Sequence, residues 1–98
     1  MNLSHLHYFI TLADEGHFAR AAKQLSIARS TLSLAISQLE NELGAPMFIK
    51  NGSNFQLTSY GEEFYRYASL ALHNLETGSS KVRSMIEDKE EVLRLGVL

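Results

Sequence analysis

Apolar residues recur at helical spacing along most of the chain, broken by short polar interruptions and one stretch of a different character. Leu3, Leu6, Phe9, Ile10 and Ala13 share one face of a first helix, with Asn2 placed to cap its start and Gly16 to stop it. Phe18, Ala21, Ala22 and Leu25 define a second helix over about 18–25, followed by the short turn Ser26-Ile27-Ala28. A third helix runs over about 29–43 with Leu32, Ala35, Ile36, Leu39 and Leu43 inward, and Gly44 and Pro46 form its stop signal. Residues 47–50 and 55–57 are β-prone and flank the polar turn Asn51-Gly52-Ser53-Asn54, so a hairpin is predicted there.

Beyond the hairpin a longer helical pattern begins at Thr58 and runs to about Asp88, with Ser59 and Glu62 at capping-box spacing. Its stripe is Phe64, Ala68, Ala71, Leu75, Gly78, Val82 and Met85, whose gaps alternate four and three, the pattern of a two-stranded seam. Tyr65, Leu72 and Ile86 widen the stripe. Gly78-Ser79-Ser80 is its weak point, because a helix-interior glycine costs about 1 kcal/mol against alanine; continuity through Gly78 is left open. The three helices and hairpin look sufficient for a small core, so the stripe is expected to face another chain. Residues 92–98 are apolar and strand-like.

Composition narrows the class. A chain of 98 residues with 45% apolar content makes one folded domain and little more. There is no cysteine, which excludes disulfides and thiolate metal sites and fits a reducing cytoplasm. No apolar run approaches the roughly 20 residues that span a bilayer. The four histidines show no ligand spacing, and neither a nucleophile motif nor a phosphate loop is present, so no metal site, cofactor or catalysis is expected. Net charge is −2, and the segment through Gly61 is neutral: Arg20, Lys23, Arg29 and Lys50 against Asp14, Glu15, Glu40 and Glu42.

The second and third helices, joined by about three residues, form a helix-turn-helix candidate. Such a pair reads DNA when the second helix opens with short polar or basic side chains that reach base edges, and Arg29, Ser30, Thr31, Ser33 and Ser37 supply these. Periodicity alone leaves a plain three-helix bundle with solvated serines equally open. The hairpin is ambiguous in the same way. Lys50 could bring a cation to a phosphate or minor groove, while Phe48, Phe55 and Leu57 simply cover the core. The neutral charge also keeps a protein-docking winged helix in view.

Five stretches resemble one known family. Leu3-Ser4-His5-Leu6-His7-Tyr8-Phe9 is similar to the opening of LysR-type regulators, and residues 16–25 to their second helix. Residues 31–40, Leu43-Gly44-Ala45-Pro46-Met47-Phe48 and Leu57-Thr58-Ser59-Tyr60-Gly61 resemble their recognition helix, the start of their wing and the start of their linker helix. The resemblance covers essentially the whole chain in one register. It implies a mainly α fold: a winged helix-turn-helix over 1–57, a dimerisation helix over 58–88, and over 89–98 a hinge and first strand of an effector-binding domain that this chain lacks. It implies double-stranded DNA as partner, a homodimer (a tetramer when full length) on an inverted repeat near a promoter, and a small-molecule effector met only through the missing domain.

Carried over by position, Arg29, Ser30, Ser33 and Leu34 fall where the family touches bases. With Thr31 and Ser37, and with Arg20, Lys23 and Lys50 on phosphate, they make the expected DNA-binding set. The stripe from Phe64 to Met85 is the expected dimer seam. The chain departs from the family at Ala28-Arg29-Ser30, where Ser-Gln-Pro is common, and at Leu34, where Arg is common. Ala28 lacks a capping hydroxyl, so Ser30 caps α-helix three or nothing does. His17 replaces the usual cap of helix two. Asn51 and Ser53 stand where wing arginines are frequent.

Overall fold

The computed structural model describes residues 1–94, with side chains through residue 89. In order they form α1 (Leu3–Glu15), α2 (Phe18–Leu25), α3 (Arg29–Leu43), β1 (Phe48–Asn51), β2 (Asn54–Leu57) and α4 (Ser59–Arg94). The local signals explain most boundaries. The Asn2 side chain accepts from the His5 N–H at 2.9 Å and starts α1; Gly16, at φ 65°, ends it. Gly44 ends α3 at φ 77°. These left-handed positions carry little penalty for glycine.

β1 and β2 pair antiparallel, Phe48 opposite Leu57 and Asn51 opposite Asn54, around the two-residue loop Gly52-Ser53. Gly52 takes φ 67°, as tight hairpins require at their first loop residue. The hairpin does not project freely. The Phe55 N–H donates to the Gly16 carbonyl at 2.9 Å, and Asn54 forms a bridge with His17, so β2 is laid against the α1–α2 turn.

The core is a buried cluster centred on Phe9, Leu12, Leu32 and Leu39, closed by Ala21, Ala22, Ile36, Met47 and Ala68. Phe9 lies against Phe48 and Phe64 at ring-centroid distances of 5.3 and 5.1 Å. Phe48 in turn meets Phe55, and Phe55 meets Phe18 at 5.3 Å, so aromatic contacts run from α4 through the hairpin to α2.

Three expectations for α4 are corrected. First, the capping residue is Thr58 rather than Ser59. Its Oγ1 accepts from the Gly61 N–H at 3.0 Å and donates to the Pro46 carbonyl at 2.6 Å, while its own N–H reaches the Met47 carbonyl. Gly61 stands at this turn because a Cβ there would collide with the Met47 carbonyl oxygen and lie 2.9 Å from Leu57 Cδ2. Second, Phe64 and Ala68 do not belong to a seam between chains. Phe64 packs on Phe9 and Ala68 is 2% exposed, because α1 to α3 alone leave the core open and α4 closes it. Third, α4 does not end near Asp88 but continues to Arg94, and at Gly78, where continuity was left open, it passes without a break. A single glycine cost is small beside 36 helical residues, and 87–91 contains good helix formers and no breaker. The expected hinge from residue 89 and strand from Val92 are therefore helical as far as Arg94, and Leu95–Leu98 lie outside the described residues.

The stripe on α4 is thus one stripe with two fates. Ala71 and Leu72 are half-buried against the domain, while Leu75, Gly78, Val82, Met85 and Ile86 are exposed where the helix runs on past it. The molecule measures 63 × 25 × 18 Å as a result.

Tyr65 fastens α4 to the end of α1 by donating its hydroxyl to Asp14 Oδ1. That hydrogen bond, helped by burial and by the Asp14 charge, holds the phenol above its ordinary value of 10.0, and Ser69 opposes the shift. A raised folded-state value means the contribution is complete below that ordinary value and is lost as pH rises through the folded one. Tyr65→Phe should destabilise the domain by about 0.5–1.5 kcal/mol near neutral pH. Urea denaturation at about pH 7 and about pH 11 should show the deficit shrinking at the higher pH; a deficit equal at both would refute the role assigned to the phenol proton.

Candidate nucleic-acid interface

The connector between α2 and α3 is built by backbone geometry. Ser26 caps α2 in the left-handed conformation, φ 57°, and its N–H donates to the Lys23 carbonyl. Ile27 N–H returns to the Ala22 carbonyl at 3.0 Å. The chain then enters α3 at Ala28, in extended conformation. No side-chain hydrogen bond from the described residues caps α3, so Ser30 does not act as a substitute cap and the first N–H groups of α3 remain open to an outside acceptor. His17 does cap α2: its Nδ1 accepts from the Arg20 N–H at 3.4 Å.

α3 is amphipathic in the required sense. Leu32, Ala35, Ile36 and Leu39 are buried, and Arg29, Ser30, Thr31, Ser33, Leu34 and Ser37 are all exposed. Ser30, Leu34, Ser37 and Asn41 lie opposite the buried stripe, with Arg29 and Ser33 turned toward the hairpin. Arg29, Ser33 and Lys50 line one open cleft of about 560 Å³ between the start of α3 and the hairpin. His17 and the loop residues Gly52 and Ser53 complete its rim. Lys50 therefore sits in β1 beside the recognition helix and not at the hairpin tip. Arg20 and Lys23 are exposed on α2, outside this cleft. Gly52 and Ser53 were expected in the hairpin turn, but their place on the rim of this cleft was not, and Asn41 was not singled out by sequence. The pinning of β2 to Gly16 is what brings the loop to the cleft, and no local pattern announces it.

Among the first 61 residues most acids have hydrogen-bond or ion-pair partners and the cations do not. Glu40 accepts from the Met47 N–H at 2.7 Å, Glu42 pairs with the chain's N-terminal amine, and Asp14 accepts from Tyr65. Arg20, Lys23, Arg29 and Lys50 are exposed, and none makes an ion pair among the described residues. The cations are left available while most of the acids are committed to structural partners.

Three helices, a helix-turn-helix with an exposed polar second helix, and a two-stranded hairpin folded beside it define a winged helix-turn-helix domain of the nucleic-acid-binding kind. The sequence profile described as bacterial regulatory helix-turn-helix protein, lysR family, matches residues 3–62. The chain belongs to the LysR family, and it carries that family's winged helix-turn-helix DNA-binding domain with its long following helix. It is 37% identical over 97 residues to the HTH-type transcriptional regulator BudR of Klebsiella aerogenes, covering 99% of this chain and 68% of BudR. It is 36% identical over 98 residues to the uncharacterized HTH-type transcriptional regulator YybE of Bacillus subtilis, of which it spans 34%. The crystal structure of the BenM DNA-binding domain with benA site 1 DNA superposes with a TM-score of 0.82 at 35% identity, covering 87% of this chain and 99% of that one. BenM is a regulator of Acinetobacter baylyi. Among the described residues no helix is long and apolar enough to cross a membrane.

Ser26 holds a conformation that costs an L-residue about 1–2 kcal/mol in the left-handed region. It is exposed, so its side chain adds little in return. Ser26→Gly should stabilise the domain by about 0.5–1 kcal/mol, after allowing for the greater freedom of glycine in the unfolded chain. Thermal unfolding monitored by circular dichroism measures this, and a lower transition temperature would contradict the strain argument.

Proposed function

We propose that the chain binds double-stranded DNA as a homodimer and regulates transcription, with the start of α3 in the major groove of each half of an inverted-repeat promoter site. The observation that carries the reading is the exposed face of α3 with Lys50 set beside it, opposite a fully buried stripe. Arg29 offers a bidentate contact to a guanine, and Ser30, Thr31, Ser33 and Ser37 reach base edges or phosphate. Arg20, Lys23, Lys50 and the open N–H groups at the start of α3 hold the backbone. The availability of the cations favours nucleic acid over a protein as the occupant of this face. The exposed stretch of α4 from Leu75 to Ile86 is the surface that pairs two protomers, and full-length BenM and the DNA-bound BenM domain are relatives in which this same fold is seen. The reading needs no cofactor and assigns no catalysis, and it places the chain with the chromosome in the cytoplasm.

Fluorescence anisotropy with promoter DNA from beside its own gene tests this. Four cations per protomer set a ceiling of about eight neutralised phosphates for a dimer, so log affinity against log salt should fall with a slope no steeper than about −7. A steeper slope would show that the phosphate contacts are misassigned. Arg29→Ala should lose about 1–3 kcal/mol on the specific site and relax preference at one base pair. An equal loss on specific and random DNA would instead place Arg29 on phosphate alone.

A further inference from the structure

The outward face of α3 carries one large apolar side chain. Leu34 is 60% exposed, and its exposed neighbours on the helix surface include Ser30, Ser33, Ser37, Gln38 and Asn41. It lies one turn after Ser30 and nearly one turn before Ser37, at the middle of the surface opposite the buried stripe. Three of these neighbours are serines, whose short side chains leave Leu34 uncovered on their side. The exposed apolar residues Leu75, Val82 and Met85 belong to α4, so Leu34 is not part of the stripe that pairs protomers.

We infer that Leu34 selects a pyrimidine bearing a C5-methyl group, thymine or 5-methylcytosine, on the floor of the major groove. The inference rests on the DNA reading above and specifies which base chemistry this helix discriminates. Its physical basis is desolvation. A helix seated in the groove removes water from the base edges beneath it. Leucine returns no hydrogen bond, so over a cytosine amino group or a purine N7 it leaves a polar atom unpaired. The pyrimidine methyl is the one apolar group on those edges, and it is where burying leucine is favourable. Leu34 lies five positions after Arg29, about 7.5 Å of helix rise, so the methyl belongs to a different base pair from the one facing Arg29.

The test begins with a duplex selected from a randomised library by the full 98-residue chain. Each thymine is then replaced in turn by deoxyuridine, which removes the methyl and keeps the pairing. At one position per half-site the wild type should lose about fourfold in affinity, the value of one buried methyl group, and Leu34→Ala should lose nothing. At that position a 5-methylcytosine–guanine pair should bind the wild type more tightly than a cytosine–guanine pair, with no such difference for Leu34→Ala. A methyl effect for thymine without one for 5-methylcytosine assigns the contact to thymine alone and upholds the inference in that form. Because Leu34 is exposed, Leu34→Ala leaves the core intact, which its thermal transition verifies. Deoxyuridine effects equal in both proteins, or absent from both, overturn the inference while the selected sequence leaves the DNA reading standing. A shift in oligomeric state of Leu34→Ala without DNA, with no deoxyuridine effect, overturns it in favour of a protein contact. A selection that yields no sequence at all overturns the DNA reading and this inference together.

Discussion

Phe9 is fully buried on α1 and touches the rings of both Phe48 in the hairpin and Phe64 in α4. Tilted and edge-on pairs of this kind add about 0.5–1.5 kcal/mol each beyond the area they bury. Their structural consequence matters more than their energy. The same ring holds the wing and the long helix against one point of α1, and the contacts continue through Phe55 to Phe18 at the start of α2. The proposed DNA-reading surface and the helix proposed to carry a partner protomer are therefore packed on one core. Close-packed interiors do not deform continuously. The distance between two recognition helices in a dimer is then a property of this packing, together with the way two copies of α4 meet.

A second convergence lies where α3 ends, β1 begins and α4 starts. Glu40 holds the Met47 N–H, Thr58 bridges Pro46 to Gly61, and Gly61 lets the first turn of α4 approach the Met47 carbonyl. Each of these residues satisfies a backbone group that a tight crossing would otherwise bury unpaired. The arrangement also turns Glu40 toward its backbone partner. The Glu40 carboxylate is thereby held by a neutral N–H, which fixes its position and leaves its charge in place.

Both ends of α1 and the end of α3 were legible because Asn2, Gly16, Gly44 and Pro46 are local signals with local causes, whereas α2 and the start of α3 were legible from apolar spacing. The cleft residues Arg29, Ser33 and Lys50 were legible as types, since a helix that buries Leu32 and Ile36 must turn Ser33 outward. What was not legible depended on the third dimension. A stripe at spacing four and three shows that Phe64 and Ala68 are covered, but the same spacing serves a partner chain or the chain's own core. Thr58 and Ser59 are equally good caps on paper. Thr58 prevails because the Pro46 and Met47 carbonyls lie beside it. The pinning of β2 to Gly16 is a backbone bond across 39 residues, and side-chain patterns do not record such bonds.

The low charge of this face has a consequence for discrimination. Non-specific affinity for DNA comes essentially from phosphate neutralisation, whereas sequence is read at base edges. A face with four cations among hydroxyls and one leucine weakens the first contribution more than the second. One protomer on one half-site then holds too few phosphates for long residence on random DNA. In the proposed dimer, two protomers joined through α4 make the second contact intramolecular once the first is formed. Recognition in such a molecule resides in the pair: each half-site contributes modest base contacts, and the shared core that positions α3 against α4 decides which sequences allow both to be made at once.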